Sequence, residues 1–258
     1  MPNTFREDYS LACRDENYER LEPIYKWNIP EVNLTALDAE QPPYDIGLQN
    51  EPDRPAPADN FLFWSFGKNP LWLNFSNPTI LNLNNASFDP DYVIVYDNTT
   101  ENDPNNPSRW VYMVITAPDT SQVDSKKTFV PAAHPLHLHG HDFALLAQGN
   151  DSSQLPNVPL KFDNPPRRDV ALLPSGGYLV VAFKADNPGT WVFHCHIAWH
   201  ASSGLSIQLM ERQQELVEMM TDERLKEPRR VCDNWNTWFS DTSNHWNPNG
   251  PFQDDSGI

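Results

Sequence analysis

An all-β fold, a sandwich or a barrel of short strands, is what this sequence predicts, and three observations predict it. Short apolar runs rich in β-branched and aromatic residues recur from about residue 60 onward. Turn formers separate them: GKNP, FDPD, NDPNNPS, PSGG and DNPG. The 258 residues include 25 prolines, about twice the usual share of roughly 5%. So many missing backbone donors disfavour a helical bundle and favour short strands with long connections.

Taken in order, residues 1–59 read as an interdomain connector, because EQPPYDIGLQNEPDRPAPADN is proline-rich and acidic. Residues 60–258 read as one domain. Its expected strands are FLFWSF (61–66), LWLNF (71–75), YVIVY (92–96), WVYMVIT (110–116), DFALLAQ (142–148), YLVVAFK (178–184), TWVFH (190–194) and LSIQLM (205–210). ERQQELVEMMTDERLKE (211–227) has helix-forming composition, with Leu216, Val217, Met219 and Met220 as its apolar positions. The tail WNPNGPFQDDSGI is polar and is expected to be irregular.

A net charge of −17 repels nucleic acid and anionic membranes, so neither is expected as a partner. No run of about 18 apolar residues could span a bilayer. MPNTFREDYS lacks the apolar stretch of a signal peptide. Yet five sequons occur, at Asn33, Asn74, Asn85, Asn98 and Asn150, which point to a secreted, glycosylated protein. The expectation is a secreted chain whose N-terminal part lies elsewhere. Cys13 and Cys232 could pair with each other, or each with a cysteine outside this sequence.

Two blocks carry the chemistry. WVFHCHIAWH places His194, Cys195, His196 and His200 within seven positions at the end of an expected strand. Alternation along that strand sends His194 and His196 to one face and Cys195 to the other. HPLHLHGH holds His134, His137, His139 and His141. An extended His137–His139 pair would stand about 6–7 Å apart along the strand, which suits two neighbouring metals. Facing His-x-His pairs, 137/139 and 194/196, would give four imidazoles to a multinuclear site. One thiolate with two imidazoles, Cys195 with His134 and His200, is the donor set of a blue-copper site. His141 is expected to orient neighbours, and Asp142 to serve as a hydrogen-bond acceptor behind the ligands.

HPLHLHGHDF together with WVFHCHIAWHASSGL resembles the two C-terminal copper motifs of multicopper oxidases, and in detail those of fungal laccases. NPPRRD (164–169), PSGGYLVVAFKADNPG and the terminal DSGI resemble the ascomycete branch. The resemblance implies a cupredoxin-like Greek-key β-sandwich, the third of a complete enzyme, with a C-terminal helix. It implies type 1 copper ligands at His134, Cys195 and His200, a type 2 ligand at His137, and type 3 ligands at His139, His194 and His196. The axial type 1 position falls on Leu205, which cannot ligate, so the reduction potential should be high. Trp199 and Phe75 fall at positions that line the family's substrate pocket, with His200 as the residue facing substrate. Asp255, Ser256, Gly257 and Ile258 correspond to the tail that plugs the channel to the trinuclear cluster.

The resemblance also implies what the complete protein does. A phenol or aromatic amine gives up one electron at His200. Cys195 passes it to His194 and His196, and four such electrons reduce O₂ to water. A complete enzyme holds four coppers and eight cluster histidines; this sequence has the type 1 set and half of the cluster set. N-terminal laccase domains would supply the remaining histidines and the partners of Cys13 and Cys232. The alternative is an isolated type 1 copper electron-transfer domain, or an inactive remnant.

Overall fold

A computed structural model describes residues 20–34, 44–49, 63–67, 70–84, 88, 93–96, 110–117, 127–128, 132–245 and 257–258. It is a two-sheet sandwich. The strands are β1 (Tyr44–Gln49), β2 (Phe63–Phe66), β3 (Val93–Tyr96), β4 (Trp110–Thr116), β5 (Lys127–Thr128), β6 (His134–Leu138), β7 (Phe143–Gly149), β8 (Arg167–Arg168), β9 (Val170–Leu173), β10 (Tyr178–Lys184), β11 (Gly189–Cys195) and β12 (Ser206–Glu211). The helices are α1 (Ala198–Ser202), α2 (Gln213–Met219) and α3 (Asp222–Phe239). One sheet has the order β2-β1-β4-β10-β7-β8, with β5 also on β1; the other has β3-β12-β11-β6-β9. Pairing is antiparallel except for β1–β4 and β12–β3. From β6 to β11 the chain passes back and forth between the sheets, the crossover pattern of a Greek-key sandwich.

The larger sheet is covered on both faces, which explains why its strands read as nearly continuous apolar runs. Met113, Ile115, Leu145, Leu179, Val181 and Phe183 face Leu136, Leu138, Leu173, Phe193, Ile207 and Leu209 of the smaller sheet. On its other face Tyr112, Val114, Leu146, Val180 and Ala182 are covered by Trp27, Ile29, Val32, Leu34 and Phe162. Part of the expected connector is therefore built into the fold. Ile29 is buried, the Trp27 indole donates to the Pro165 carbonyl at 2.7 Å, Asn28 bridges Asp163, and β1 is an interior strand.

Three local expectations are corrected. LWLNF forms no strand: the Asn74 side-chain oxygen accepts from the backbone N–H of Ser76 and Asn77, and this turn ends the extended run. The single helix expected over 211–227 is two. Thr221 caps the second by accepting from the Arg224 N–H, and that helix runs on through Pro228 to Phe239. Trp235, on its far half, packs edge-on against Phe75 at 4.9 Å, one of the tertiary contacts that hold the helix beyond the proline. Strands β8 and β9, not anticipated, form where NPPRRDVALL turns from one sheet to the other at Asp169. No described helix is long and apolar enough to cross a membrane.

Candidate metal centre

β6 and β11 lie side by side with His137 opposite His194 and Leu136 opposite Cys195. That register places donors on both faces of one strand pair. Inward, Cys195 is 0% exposed and meets His134 from β6 and His200 from α1. The Cys195 Sγ lies 3.7 Å from His134 Nδ1 and 3.6 Å from His200 Nδ1, and the two Nδ1 atoms are 3.1 Å apart. A point equidistant from the three atoms lies about 2.0 Å from each, close to the about 2.0–2.1 Å at which imidazole binds a first-row divalent metal and about 0.3 Å inside the thiolate distance of about 2.3 Å. The donor set, one soft thiolate and two imidazoles, is that of a blue-copper site. Shape and chemistry both fit copper. Leu205, fully buried in the same cluster as Cys195, offers no fourth donor.

On the other face the ligand atoms of His137, His139 and His194 lie within 4.8 Å of one another. His139 Nε2 and His194 Nε2 are 3.1 Å apart. The His137 and His139 rings approach to 4.9 Å, closer than an extended pair allows, because β6 ends at Leu138 and His139 sits in the following turn. His196 stands beside this trio, its ring 5.7 Å from both His137 and His194.

Backbone carbonyls orient two of these rings. His137 Nδ1–H donates to the Asp169 carbonyl at 2.8 Å, at the corner where the chain changes sheets, and the Leu138 N–H donates to the same oxygen. His194 Nδ1–H donates to the Cys195 carbonyl at 2.9 Å. In each case Nε2 is left free for a metal. Cys195 is thus tied to both faces, by its thiol to one and by its carbonyl to the other.

Burial sets the protonation states. It pulls His134 down from 6.5 to about 3, with His200 adding to the effect, and His194 to about 4. His200 and His139 are also lowered, chiefly by burial. The Cys195 thiol is pushed up to about 11. Without metal the His134–Cys195–His200 group is neutral at pH 7. An unfolded chain would protonate these imidazoles near 6.5, so below that pH it binds more protons than the folded one. The metal-free chain should therefore keep this stability above pH 6.5 and lose about 2 kcal/mol from His134 alone between pH 6.5 and 5. Urea midpoints across that window check it; a flat midpoint contradicts it.

The other sequence candidates are placed as follows. His141 does not orient the neighbouring histidines. It forms a buried pair with Glu211 at 2.6 Å, between Phe183 and Trp191. Burial raises the Glu211 carboxyl, and His141 opposes that shift. Asp142 bonds Arg167 and no histidine. Trp199 is 82% exposed beside His200, whereas Phe75 is half-buried against Trp235. A cavity of about 1100 Å³ opens along Pro135, Arg167, Asp169 and Ile197, on the flank of the β6–β11 pair. Cys232 is free and buried on α3, and Cys13 lies outside the described residues. Of the expected plug, Gly257 and Ile258 are half-buried, and Asp255 and Ser256 lie outside the described residues. Sequence reasoning missed Trp64, whose indole packs on both His134 and His200. It also missed Glu211, for which the one signal was a carboxylate closing an apolar strand, LSIQLME.

The multicopper oxidase family model matches residues 72–215. A laccase of Arthroderma benhamiae is 44% identical over 260 residues, covering all of this chain and 40% of the relative. Laccase-2 of Botryotinia fuckeliana is 41% identical, covering 77% of this chain and 31% of the relative. The crystal structure of the laccase from Botrytis aclada superposes with a TM-score of 0.73 at 31% identity, covering all of this chain and 41% of that one. The chain spans about two fifths of the length of the curated relatives that match all of it. With a His₂Cys site and a histidine cluster back to back on one strand pair, and a family model matching over that region, the chain belongs to the multicopper oxidases.

Proposed function

We propose that the chain is the type 1 copper domain of a laccase-type oxidase. His134, Cys195 and His200 hold the type 1 copper, His137 the type 2, and His139, His194 and His196 take part in the type 3 pair. N-terminal laccase domains supply the other cluster histidines and the partners of Cys13 and Cys232. Bound copper supplies the one-electron chemistry that couples oxidation of phenols or aromatic amines to four-electron reduction of O₂.

The chain's own residues do the rest. His200, half-buried beside the exposed Trp199, is where substrate makes contact, and Phe75, half-buried against Trp235, takes part in the same pocket. Cys195 joins the two sites through its peptide link and through the 2.9 Å hydrogen bond from His194. Secretion, and a role for Asp255, Ser256, Gly257 and Ile258 at the cluster, complete the reading. The sequons support secretion. The observation that carries the proposal is the pair of donor groups on opposite faces of β6 and β11.

The test is O₂ uptake by the copper-loaded complete protein with a simple phenol. Four one-electron oxidations per O₂, without peroxide, are expected. A blue protein that consumes no O₂ would favour the second reading, a stand-alone electron-transfer domain, which the completeness of the His134–Cys195–His200 set within this chain also supports. Leu205→Met tests the axial position separately. The swap nearly conserves volume and should cost less than about 1.5 kcal/mol. A thioether near the metal should lower the reduction potential. An unchanged or raised potential by redox titration would contradict the assignment of Leu205.

A further inference from the structure

His137 and His194 each have a backbone carbonyl to hold the ring. Among the described residues, the rings of His134 and His200 have no such partner; their nitrogens approach only each other and Cys195. A ring attached to a metal by one nitrogen can still turn about that bond, so something else must fix its plane. Trp64 is placed to do so. Its indole lies 4.2 Å from the His200 ring at 30°, nearly face to face, and 4.9 Å from His134 at 68°, edge to face. The edge-to-face pair is a preferred aromatic geometry, and the tilted pair puts the indole in van der Waals contact with the His200 ring.

The backbone holds the indole there. All four residues of β2 are buried, and Trp64 is 8% exposed. The Trp64 N–H donates to the Ser203 carbonyl, and the Leu71 N–H to the Gly204 carbonyl. Gly204 has φ +98, and a Cβ there would lie 2.4 Å from Pro70 and 3.1 Å from Trp72. Residues 63–67 and 70–72 thus clamp the segment 198–205, which carries both His200 and Leu205. A flat apolar group over two ligands also keeps water off the metal. Water exclusion disfavours the more highly charged oxidised state.

We propose that Trp64 is a positioning residue of the type 1 site: it fixes the planes of His200 and His134, excludes water from the metal they hold, and raises its reduction potential. This rests on the reading of His134, Cys195 and His200 as copper ligands.

The experiment compares wild-type, Trp64→Leu and Trp64→Phe full chains, each loaded with one equivalent of copper, by visible spectrum and redox titration. Trp64→Leu should show a lower potential and a weaker blue band per bound copper, and Trp64→Phe should restore most of both. Wild-type potential and band in a fully loaded Trp64→Leu chain would overturn the inference. A wild-type chain that binds copper without the blue band would overturn the copper-site reading and this inference with it. Should Trp64→Leu fail to fold, 5-fluorotryptophan-labelled wild type carries the test, its Trp64 fluorine resonance assigned with Trp64→Phe. One equivalent of Cu(I) should shift that resonance, and a stationary resonance would overturn the inference.

Discussion

Cys195→Ser is expected to abolish the blue band, remove the type 1 copper and lower the oxidase activity of the complete protein by more than a hundredfold. Cys195 is fully buried at the end of β11, with two imidazole nitrogens within 3.7 Å of its sulfur. Serine is close in shape, so the sandwich should persist, at a cost of about 1–3 kcal/mol for a buried hydroxyl without a partner. A hydroxyl is a hard, weakly acidic donor and cannot replace a thiolate. Losing even an outer partner of a metal ligand typically costs roughly 10–100-fold, so loss of the ligand itself should exceed that. Copper content and the visible spectrum read the result; a blue band that survives the substitution would contradict it.

Gly140→Ala should be the most damaging small substitution near the cluster. Gly140 has φ +73, and a Cβ there would lie 2.4–2.7 Å from three atoms of the Trp191 ring. The ring is pinned: its Nε1–H donates to the Asn187 carbonyl at 2.8 Å, and Asn187 Nδ2–H donates back to the Gly140 carbonyl at 2.9 Å. Left-handed strain of about 1–2 kcal/mol and overpacking of about 1–3 kcal/mol add to about 2–5 kcal/mol, of which about 3 kcal/mol is the central value. For a chain of this size that lowers the thermal midpoint by about 6–12 °C. His139 and His141 flank the position, so the same change should loosen the His137–His139–His194 group while leaving His134, Cys195 and His200 in place. A midpoint within about 2 °C of wild type would contradict the steric argument.

The strands of the larger sheet were legible because burial on both faces writes long apolar runs into WVYMVIT and YLVVAFK. Interior β1 was not, because YDIGLQ is short, polar in part and framed by prolines; its place is set by its neighbours β2, β4 and β5. LWLNF misled for the opposite reason: Leu71 and Trp72 are buried, but the Asn74 turn stops the run from pairing.

The two donor groups that the structure brings together, His134 with Cys195 and His200 and His137 with His139 and His194, were legible, since their members cluster in two short blocks and alternation separates Cys195 from His194. The approach of His137 to His139 was not, because it depends on where β6 ends. Trp64 and Glu211 stayed hidden because a residue in an apolar strand carries no mark of which distant side chain it meets. Trp64 reaches His200, and Glu211 reaches His141, only through the packing of the sandwich.

The central claim is that His134, Cys195 and His200 of this one chain form a complete copper site. X-ray absorption at the copper K-edge of the chain loaded with one equivalent tests it most directly. The account predicts one short copper–sulfur distance and two nitrogens at about 2.0 Å. A first shell of nitrogen and oxygen alone, with no sulfur, would contradict it.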